Sequence, residues 1–387
     1  MTAWRFPGTL LIALATLSTY AQDKASLEQT SRIRQIVLSR GEDPAAVAHL
    51  VQLTRDLSPA DAAVLFGQLA NDYLTAGKHD RAAEVLSQLI DQYQDLPAAD
   101  EAALTLVRLY TSSEVLHTQA KKPISSAEEL ATYALHLAGQ ARSRRPALAN
   151  DPAHAFQSAV VARLSNRLPL AQSFLSPLKH NPRMRPWHER AQAEQWLTTS
   201  RQEDGPLAVR RAARIGSRPH LDGQLQESFW QNRLAASQNK ATHAWFARDD
   251  EFLYLAVQCE KRPEIRYAAD DRPRSYDADL SDHDYVRLRF DLDRDYATCF
   301  ELSVDHRGWT ADRCWLAQDW NPRWFVAAAQ NATHWTLEGA IPWSELGGPP
   351  PSPAAWALAV ERQIPGFDAV PAEFELLLFE DAKRPLK

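Results

Sequence analysis

Cysteine is scarce in this chain, which has three in 387 residues: Cys259, Cys299 and Cys314. Three cysteines exclude a disulfide-dense scaffold, and they form neither a CxxC pair nor a Cys/His pattern with the spacing of zinc ligands. Basic residues are outnumbered, 43 against 49 acidic ones, and they form no block or stripe. The sequence therefore argues against nucleic acid as a partner, because such binding depends on clustered positive charge.

The familiar catalytic motifs are missing as well. The chain has no GxSxG nucleophile turn, no P-loop and no glycine fingerprint for dinucleotides, so serine hydrolases, kinases and Rossmann enzymes have no support. The stretch from His188 to Gln192 resembles half of an HExxH zinc helix but lacks the second His. We therefore predict no catalytic residues.

Long apolar runs are confined to the N-terminus. Arg5 is followed by an apolar stretch from Leu10 to Leu17 and by small residues at Thr19 and Ala21. This order predicts a signal peptide over 1–21 and a secreted or periplasmic protein; a buried N-terminal helix is the alternative. The run is shorter than the roughly 20 residues that cross a bilayer, and no later segment reads as an integral membrane span.

The stretch 22–200 has the apolar spacing of helices. Two helical segments break at Thr75–Lys78, which is typical of a helix end followed by a turn. The segments resemble a tetratricopeptide-type hairpin, and Tyr73 and Tyr110 occupy similar settings about one repeat apart. We predict an irregular α-solenoid of tetratricopeptide-like hairpins, with a plain helical bundle as the alternative. The polar stretch 201–207 is the predicted linker.

The C-terminal part, 208–387, has a different period. Apolar Val286, Leu288 and Phe290 alternate with Arg287 and Arg289, which is the two-residue repeat of a strand with one buried face. Similar runs recur between turn residues, with no helical period between them. The chain is thus predicted to be a multidomain α and β protein that ends in an antiparallel β-sandwich.

An ordered set of motifs runs through this sandwich and covers somewhat less than half of the chain. The set resembles carbohydrate-binding module family 9, a family of non-catalytic sugar-binding modules. The resemblance implies a carbohydrate ligand for the C-terminal part, and we expect the helical part to dock a protein partner. The motifs are Arg218–Trp230, Phe252–Cys259, Asp284–Asp293, Trp335–Trp343 and Pro365–Phe367.

In this family two aromatic rings sandwich a terminal sugar, and here neither expected position holds Trp. Ser281 stands at the first, and the segment 367–371 carries none. Tyr276 and Phe367 are the nearest aromatic substitutes.

Two tryptophans, Trp320 and Trp324, lie in a polar, proline-containing stretch that predicts an exposed loop with a stacking face for sugar. A cover over the sandwich end is the alternative. Arg289 and Arg362 are candidate hydrogen-bond donors to vicinal hydroxyls, with structural ion pairs as the alternative.

A metal site is predicted at the acidic run that begins at Asp291. The glycine and glutamate of an EF-hand loop are absent, but the resemblance implies structural calcium in many relatives. A two-residue turn at His306–Arg307 would set Glu301 opposite Asp312, and Cys299 opposite Cys314. The predicted ligands are Asp291, Asp293, Glu301 and Asp312. Whether the two cysteines form a disulfide stays open.

The leading hypothesis is a secreted or periplasmic carbohydrate-binding protein that takes part in polysaccharide recognition or breakdown. Two alternatives stay open. In the first, the sandwich has lost sugar binding and the chain is an interaction scaffold. In the second, the chain is a component of a glycoside hydrolase with an unrecognised pair of carboxylates.

Overall fold

The structure is a computed structural model that describes residues 24–41, 43, 45–119, 127–199, 205–236, 241–268, 272, 275–351, 354–368 and 372–379. The predicted signal peptide, 1–21, and the first half of the predicted linker, 201–204, lie outside these residues. The described residues divide into two compact units. The first takes in the described residues of Met1–Ser112, Lys122–Leu175 and Leu316–Asp319, and the second those of Ser113–Lys121, Ser176–Trp315 and Trp320–Lys387.

Helices make up nearly all of the first unit, and strands dominate the second. The described helices are α1 (Lys24–Ser39), α2 (Ala46–Leu53), α3 (Pro59–Thr75), α4 (His79–Gln92), α5 (Pro97–Thr111), α6 (Ser113–Gln119), α7 (Ala127–Arg144), α8 (Pro152–Leu164), α9 (Leu168–Lys179), α10 (Trp187–Thr198) and α11 (Ser228–Ala236). The described strands are β1 (Val209–Arg214), β2 (Thr242–Arg248), β3 (Phe252–Glu260), β4 (Tyr285–Asp291), β5 (Phe300–Asp305), β6 (Thr310–Cys314), β7 (Phe325–Gln330), β8 (His334–Pro342), β9 (Ala355–Gln363) and β10 (Glu375–Leu378).

The hairpin of α3 and α4 lies where the sequence predicts it. Ser58 caps α3, since its hydroxyl accepts a hydrogen bond from the Asp61 amide at 3.1 Å. The chain then turns at Gly77, whose φ of +67° favours glycine. A side chain at Gly77 would also collide with the carboxylate of Asp319, which belongs to the same unit. The repeated tetratricopeptide arrangement stays a prediction.

The strands form one curled sheet in the order β6-β5-β4-β9-β10-β1-β2-β3-β8-β7. The prediction of a purely antiparallel sandwich is wrong at β1, which pairs in parallel with both β10 and β2. A parallel pair needs a long connection. The segment between β1 and β2, which includes α11, supplies one. The sheet is therefore mixed, although the other described pairings are antiparallel.

The two halves of this curled sheet face each other, as a sandwich requires. Phe246 of β2 and Phe290 of β4 lie on strands that are not neighbours, yet their ring centroids are 6.1 Å apart. Val286, Leu288 and Phe290 are all fully buried, whereas Arg287 and Arg289 are half-buried on the opposite face. The predicted alternation of β4 is confirmed.

Helix α11 is the element that the sequence reading missed. Its Trp230 is fully buried and donates from Nε1 to Oε1 of Glu338 on β8 at 2.9 Å. The amides of Asp222 and Gly223 donate to the other oxygen of Glu338, at 3.2 and 3.0 Å. One buried carboxylate thus joins two of the sequence motifs, Arg218–Trp230 and Trp335–Trp343, through residues up to 116 positions apart.

Helix α10 packs on the outer face of β9 and β10. Its Ala193 and Leu197 bury against Ala355, Leu376 and Leu378. This helix falls inside the predicted helical domain, 22–200, yet it belongs to the same compact unit as the strands. The domain boundaries themselves stay a prediction. No helix in the described part of the chain combines the length and apolar content needed to cross a membrane.

The Glu338 carboxyl should make stability depend on pH. Burial first, and then the charge of Glu227, raise its pKa to about 7 despite three N–H donors. The folded protein therefore holds a proton that the unfolded chain releases near pH 4.5. The stability that this group contributes is full below about pH 4.5 and is lost as the pH rises through about 7.

We predict that Glu227→Gln, which removes the neighbouring charge, stabilises the protein at pH 8 and has little effect at pH 5. Each pKa unit relieved at Glu338 corresponds to about 1.4 kcal/mol. Urea unfolding at both pH values measures the difference, and Glu264→Gln, at an exposed site, is the control. An equal effect of Glu227→Gln at the two pH values would contradict the assignment.

Candidate functional site

The outward face of β4, β5, β6 and β9 carries a network of three arginines and two glutamates. Arg287 and Arg289 of β4 reach Glu301 of β5 at 3.1 and 3.0 Å, and Arg313 of β6 reaches it at 2.8 Å. On the other side, Glu361 of β9 lies 3.6 Å from Arg287 and 3.3 Å from Arg289. The strand register brings these side chains together because residues directly opposite each other share one face.

This network decides the charge state of its central carboxylate. Burial alone would raise the pKa of Glu301, but Arg287, Arg313 and Arg289 outweigh it and lower that pKa. Glu301 is therefore ionised and held by cations, which is the setting of a structural carboxylate. Arg289, which was predicted to donate hydrogen bonds to sugar hydroxyls, donates from Nε to Glu301 instead.

Arg362, the other predicted donor, holds the buried carboxylate of Asp284. Its Nε and Nη2 donate to the two oxygens of Asp284 at 2.8 and 2.6 Å. Tyr267 Oη and Trp335 Nε1 donate to the same carboxylate at 2.7 and 3.0 Å. Arg362 also donates to the carbonyls of residues 241 and 260. The structure thus gives Arg362 an ion pair beneath the start of β4.

The tryptophan loop buries Trp324 and leaves Trp320 partly exposed. Trp324 is only 4% exposed, so the expectation of an exposed stacking face is wrong for this residue. Trp320 is half-buried, and its ring stacks on Phe300 with centroids 4.4 Å apart and planes 21° apart. The loop's polar residues predict exposure, but Trp324 packs inward because burial of its apolar area is favourable.

Tyr276 and Phe367 are the predicted site residues that remain open to solvent, at 63% and 45% exposed. Both lie at the same end of the sheet. The segment of Tyr276 pairs with Thr310 at the start of β6, through the amide of Ala278 at 3.0 Å. Phe367 lies in the turn that follows Gln363, the β9 residue opposite Tyr285. The two rings therefore flank the start of β4 from opposite sides.

A third aromatic residue at this end was missed as a site residue. Trp309 follows the β5–β6 loop, and the guanidinium carbons of Arg307 and Arg272 lie 3.9 and 4.8 Å from the centre of its ring. Arg307 is held in turn by Asp305, with Nη2 and Oδ2 2.6 Å apart. In the sequence, Trp309 is recognisable only as an aromatic residue beside the turn glycine Gly308. Nothing in the sequence indicates that Arg307 and Arg272 contact its ring.

The predicted metal ligands separate into two groups. Asp291 and Asp293 lie with Asp295, and carboxylate oxygens of the three are within 4.8 Å of one another. Glu301 belongs to the arginine network, and Asp312 lies opposite Leu302 on the other face of the sheet. Neither therefore lies in the group of Asp291. The predicted pairing of Glu301 with Asp312 is wrong, because the predicted register is off by one residue.

The error in register lies in the β5–β6 loop. Three residues, His306 to Gly308, form the turn, and Gly308 has a φ of +85°. Asp305 is therefore opposite Trp309, and Cys314 is opposite Phe300. The three cysteines are free thiols, and Cys299 and Cys314 do not form a bridge.

A fourth carboxylate joins the acidic group from far away in the sequence. Glu114 of α6 accepts from the Leu292 amide at 2.5 Å, and its second oxygen lies 3.4 Å from Thr298 Oγ1. Burial, followed by the charges of Asp293 and Asp295, raises the pKa of Glu114 well above its ordinary value. Burial and its three acidic neighbours do the same for Asp291.

Backbone amides orient this carboxylate cluster, which consists of Glu114, Asp291, Asp293 and Asp295. Asp291 accepts from the amides of Asp295 and Tyr296 at 3.2 and 2.6 Å, and Asp293 accepts from the Ser113 amide at 2.7 Å. Four buried carboxylates side by side repel one another unless protons or a cation offset their charge. Oxygen donors of this kind are those that Ca²⁺ prefers. The residues present therefore fit the predicted calcium.

Comparison with known proteins gives a faint likeness. No family model matches the chain, and no curated protein matches it. A carbohydrate-binding module of family 9 from Caldicellulosiruptor kristjanssonii, solved with glucose, is similar over 44% of this chain and 95% of its own, at 12% identity and a TM-score of 0.29. A protein of Bacteroides uniformis ATCC 8492, provisionally named carbohydrate-binding, is similar over 46% of this chain and 94% of its own, at 9% identity and a TM-score of 0.31. At these TM-scores neither likeness decides the fold or the ligand.

Proposed function

We propose that this chain is a non-catalytic carbohydrate-binding protein whose sandwich binds sugar between Tyr276 and Phe367. One observation carries the proposal: these two exposed rings flank the start of β4, near the positions where the motif resemblance expects a sugar sandwich. Exposed aromatic side chains forgo burial, and a pair of them on one end of a sheet favours a ligand with apolar faces. Pyranose rings have such faces.

Polar groups stand beside the two rings. Tyr285 begins β4, and its hydroxyl accepts from Arg287 Nη2 at 3.0 Å. Arg287 follows on the same face, about 7 Å further along the strand. It occupies the place of a glutamate that is frequent in the family, so the hydrogen bonds to sugar hydroxyls would come from a cation rather than a carboxylate.

The hydrolase alternative gains little from the geometry. A glycosidase needs two acids that face each other across a cleft, one of them with a raised pKa. Asp284 and Asp305, two buried acids at this end of the sheet, are bound by Arg362 and Arg307. Of the second unit's acids with raised pKa values, Glu114 and Asp291 belong to a fully buried cluster at the other end of β4. Glu338 is buried on β8 and accepts from Trp230 and from the amides of Asp222 and Gly223.

A glycan array with the purified full chain identifies the sugar, and titration calorimetry then measures its affinity. We predict that Tyr276→Ala and Phe367→Ala each weaken binding by about tenfold, because loss of one stacked ring costs about 1.4 kcal/mol. Phe325→Ala is the matched control, since Phe325 is 54% exposed on β7, at the opposite end of the strand order.

Unchanged affinity in both variants would remove this site. If the array shows no bound glycan, the sandwich is a scaffold that has lost sugar binding.

We also propose that the carboxylate cluster holds a structural calcium ion, with ligands from Asp291, Asp293, Asp295 and Glu114. The support is their burial, their mutual proximity and the raised pKa values of Glu114 and Asp291. A cation there would replace repulsion with attraction and tie α6 to the loop after β4.

Calcium should raise the melting temperature of protein treated with EDTA. A ligand at about 100 times its Kd stabilises by about 2.7 kcal/mol. We predict that Glu114→Gln loses most of this response yet melts no lower than the wild type in EDTA, since one repelling charge is gone. Asp279→Asn, at an exposed carboxylate, is the control. Protein that contains no calcium by elemental analysis, and whose melting temperature does not respond to calcium, would contradict the proposal.

We also propose that the protein is exported. The support for export is the N-terminal sequence alone. Cleavage after Ala21 would leave a mature chain in the periplasm or the medium. We predict that N-terminal sequencing of the exported protein begins at Gln22. Retention of Met1 in protein recovered from inside the cell would favour the buried-helix alternative.

A further inference from the structure

The first unit contains a groove of about 890 Å³ between α7 and α9. One face of α7 lines it from Thr132 to Ser143, a length of about 16 Å. Leu135, Leu170 and Phe174 provide apolar lining. The volume is in the range of about 300–1,000 Å³ that is usual for ligand pockets.

Positive charge surrounds this apolar lining. Arg142, Arg144 and Arg167 line the groove together with His136, and Asp91 is the acidic residue that lines it. Arg142 is partly committed, because its guanidinium lies 4.7 Å from the Phe174 ring centre and donates to Ser158. Arg144 and Arg167 are exposed and bring charge to the rim. The groove is therefore complementary to a ligand with negative groups beside an apolar one.

A glycine in the wall of the groove also favours a bound ligand. Gly139 lies in the middle of α7, where glycine costs about 1 kcal/mol relative to alanine. Gly77 and Gly223 have a positive φ and close neighbours that exclude a side chain. Gly139 has neither, since a Cβ there would meet no atom within 4 Å among the described residues. The described residues give no packing reason for glycine, but a ligand in the groove would.

We propose that this groove binds an acidic peptide segment that carries a bulky apolar side chain. The segment would lie along α7, with its apolar side chain against Leu135, Leu170 and Phe174 and its carboxylates near Arg144 and Arg167. An extended peptide covers about 3.3 Å per residue, so about five residues fit the length of the groove. Two more large apolar side chains, Tyr133 and Leu168, are exposed on the same two helices and would widen the contact.

This inference deepens the expected docking of a protein partner on the helical part, and it is independent of sugar binding. The probe is an array of immobilised hexapeptides in which one Leu, Phe, Met or Trp is set among Asp and Glu. Matched peptides carry Lys or Ser in place of the acids. The full chain should select the acidic set, and fluorescence anisotropy with the best peptide then gives the affinity.

Two substitutions test the groove itself. Gly139→Leu should abolish peptide binding and leave the melting temperature equal or higher, because leucine is the better helix former and its Cβ would meet no described atom within 4 Å. Gly139→Ala should raise the melting temperature and weaken binding less. Arg167→Glu should weaken binding at least tenfold, whereas Arg55→Glu, the same charge change at another exposed site of the first unit, should not.

Three outcomes would overturn the proposal: selection of no peptide or of the neutral or basic sets, wild-type affinity in Gly139→Leu, or binding of polygalacturonic acid in place of any peptide. Tyr276→Ala and Phe367→Ala should bind the peptide normally. Failure of the groove and failure of the sugar site can therefore be told apart.

Discussion

The two-residue period of β4 fixes both faces of the sheet on which the candidate sites lie. Its inward side chains, Val286, Leu288 and Phe290, build the core against the facing half of the sandwich. Its outward arginines gather glutamates from β5 and β9. The strand starts beside buried Asp284 and ends at buried Asp291. A slip of one residue would exchange the two faces and bury the arginines in the apolar core.

The second unit stabilises its buried carboxylates in different ways. Asp284 has a guanidinium and two further side-chain donors, and Glu301 has three arginines. Glu338 has three N–H donors, which only partly offset burial, so its pKa stays high. Glu114 is surrounded by other acids. Cations thus offset the burial of Asp284 and Glu301, whereas the carboxylate cluster after β4 brings acids together, and a divalent cation is its chemically fitting counterpart.

Sequence patterns predicted the features that repeat and missed those that depend on single residues or distant pairs. The alternation of β4 repeats over seven residues, so its faces were predicted correctly. The β5–β6 register depends on whether Gly308 lies inside the turn. The two-residue turn predicted from the sequence leaves Gly308 out, and it therefore places Glu301 and Asp312 on one face. Glu114 lies 178 residues from Leu292, the residue whose amide it accepts from, and no local pattern links them.

The burial of Trp324 has a similar cause. Its neighbours in sequence are polar, and exposure was inferred from them, but burial is decided by what lies across the fold. The mixed pairing of β1 was also hidden, because strand period carries no information about direction. The motif order makes Tyr276 and Phe367 the nearest aromatic substitutes, and both residues lie at one end of the sheet.

Strand β1 has a consequence for how the chain folds. It lies between β10 and β2, and its Val209 pairs with Leu376, near the other end of the sandwich sequence. Once β2 has paired with it, β1 therefore keeps one open edge until β10 joins. Such non-local pairing slows folding, and unpaired edges invite aggregation. An intermediate that lacks β10 thus exposes an unpaired edge of β1 in what becomes the middle of the sheet.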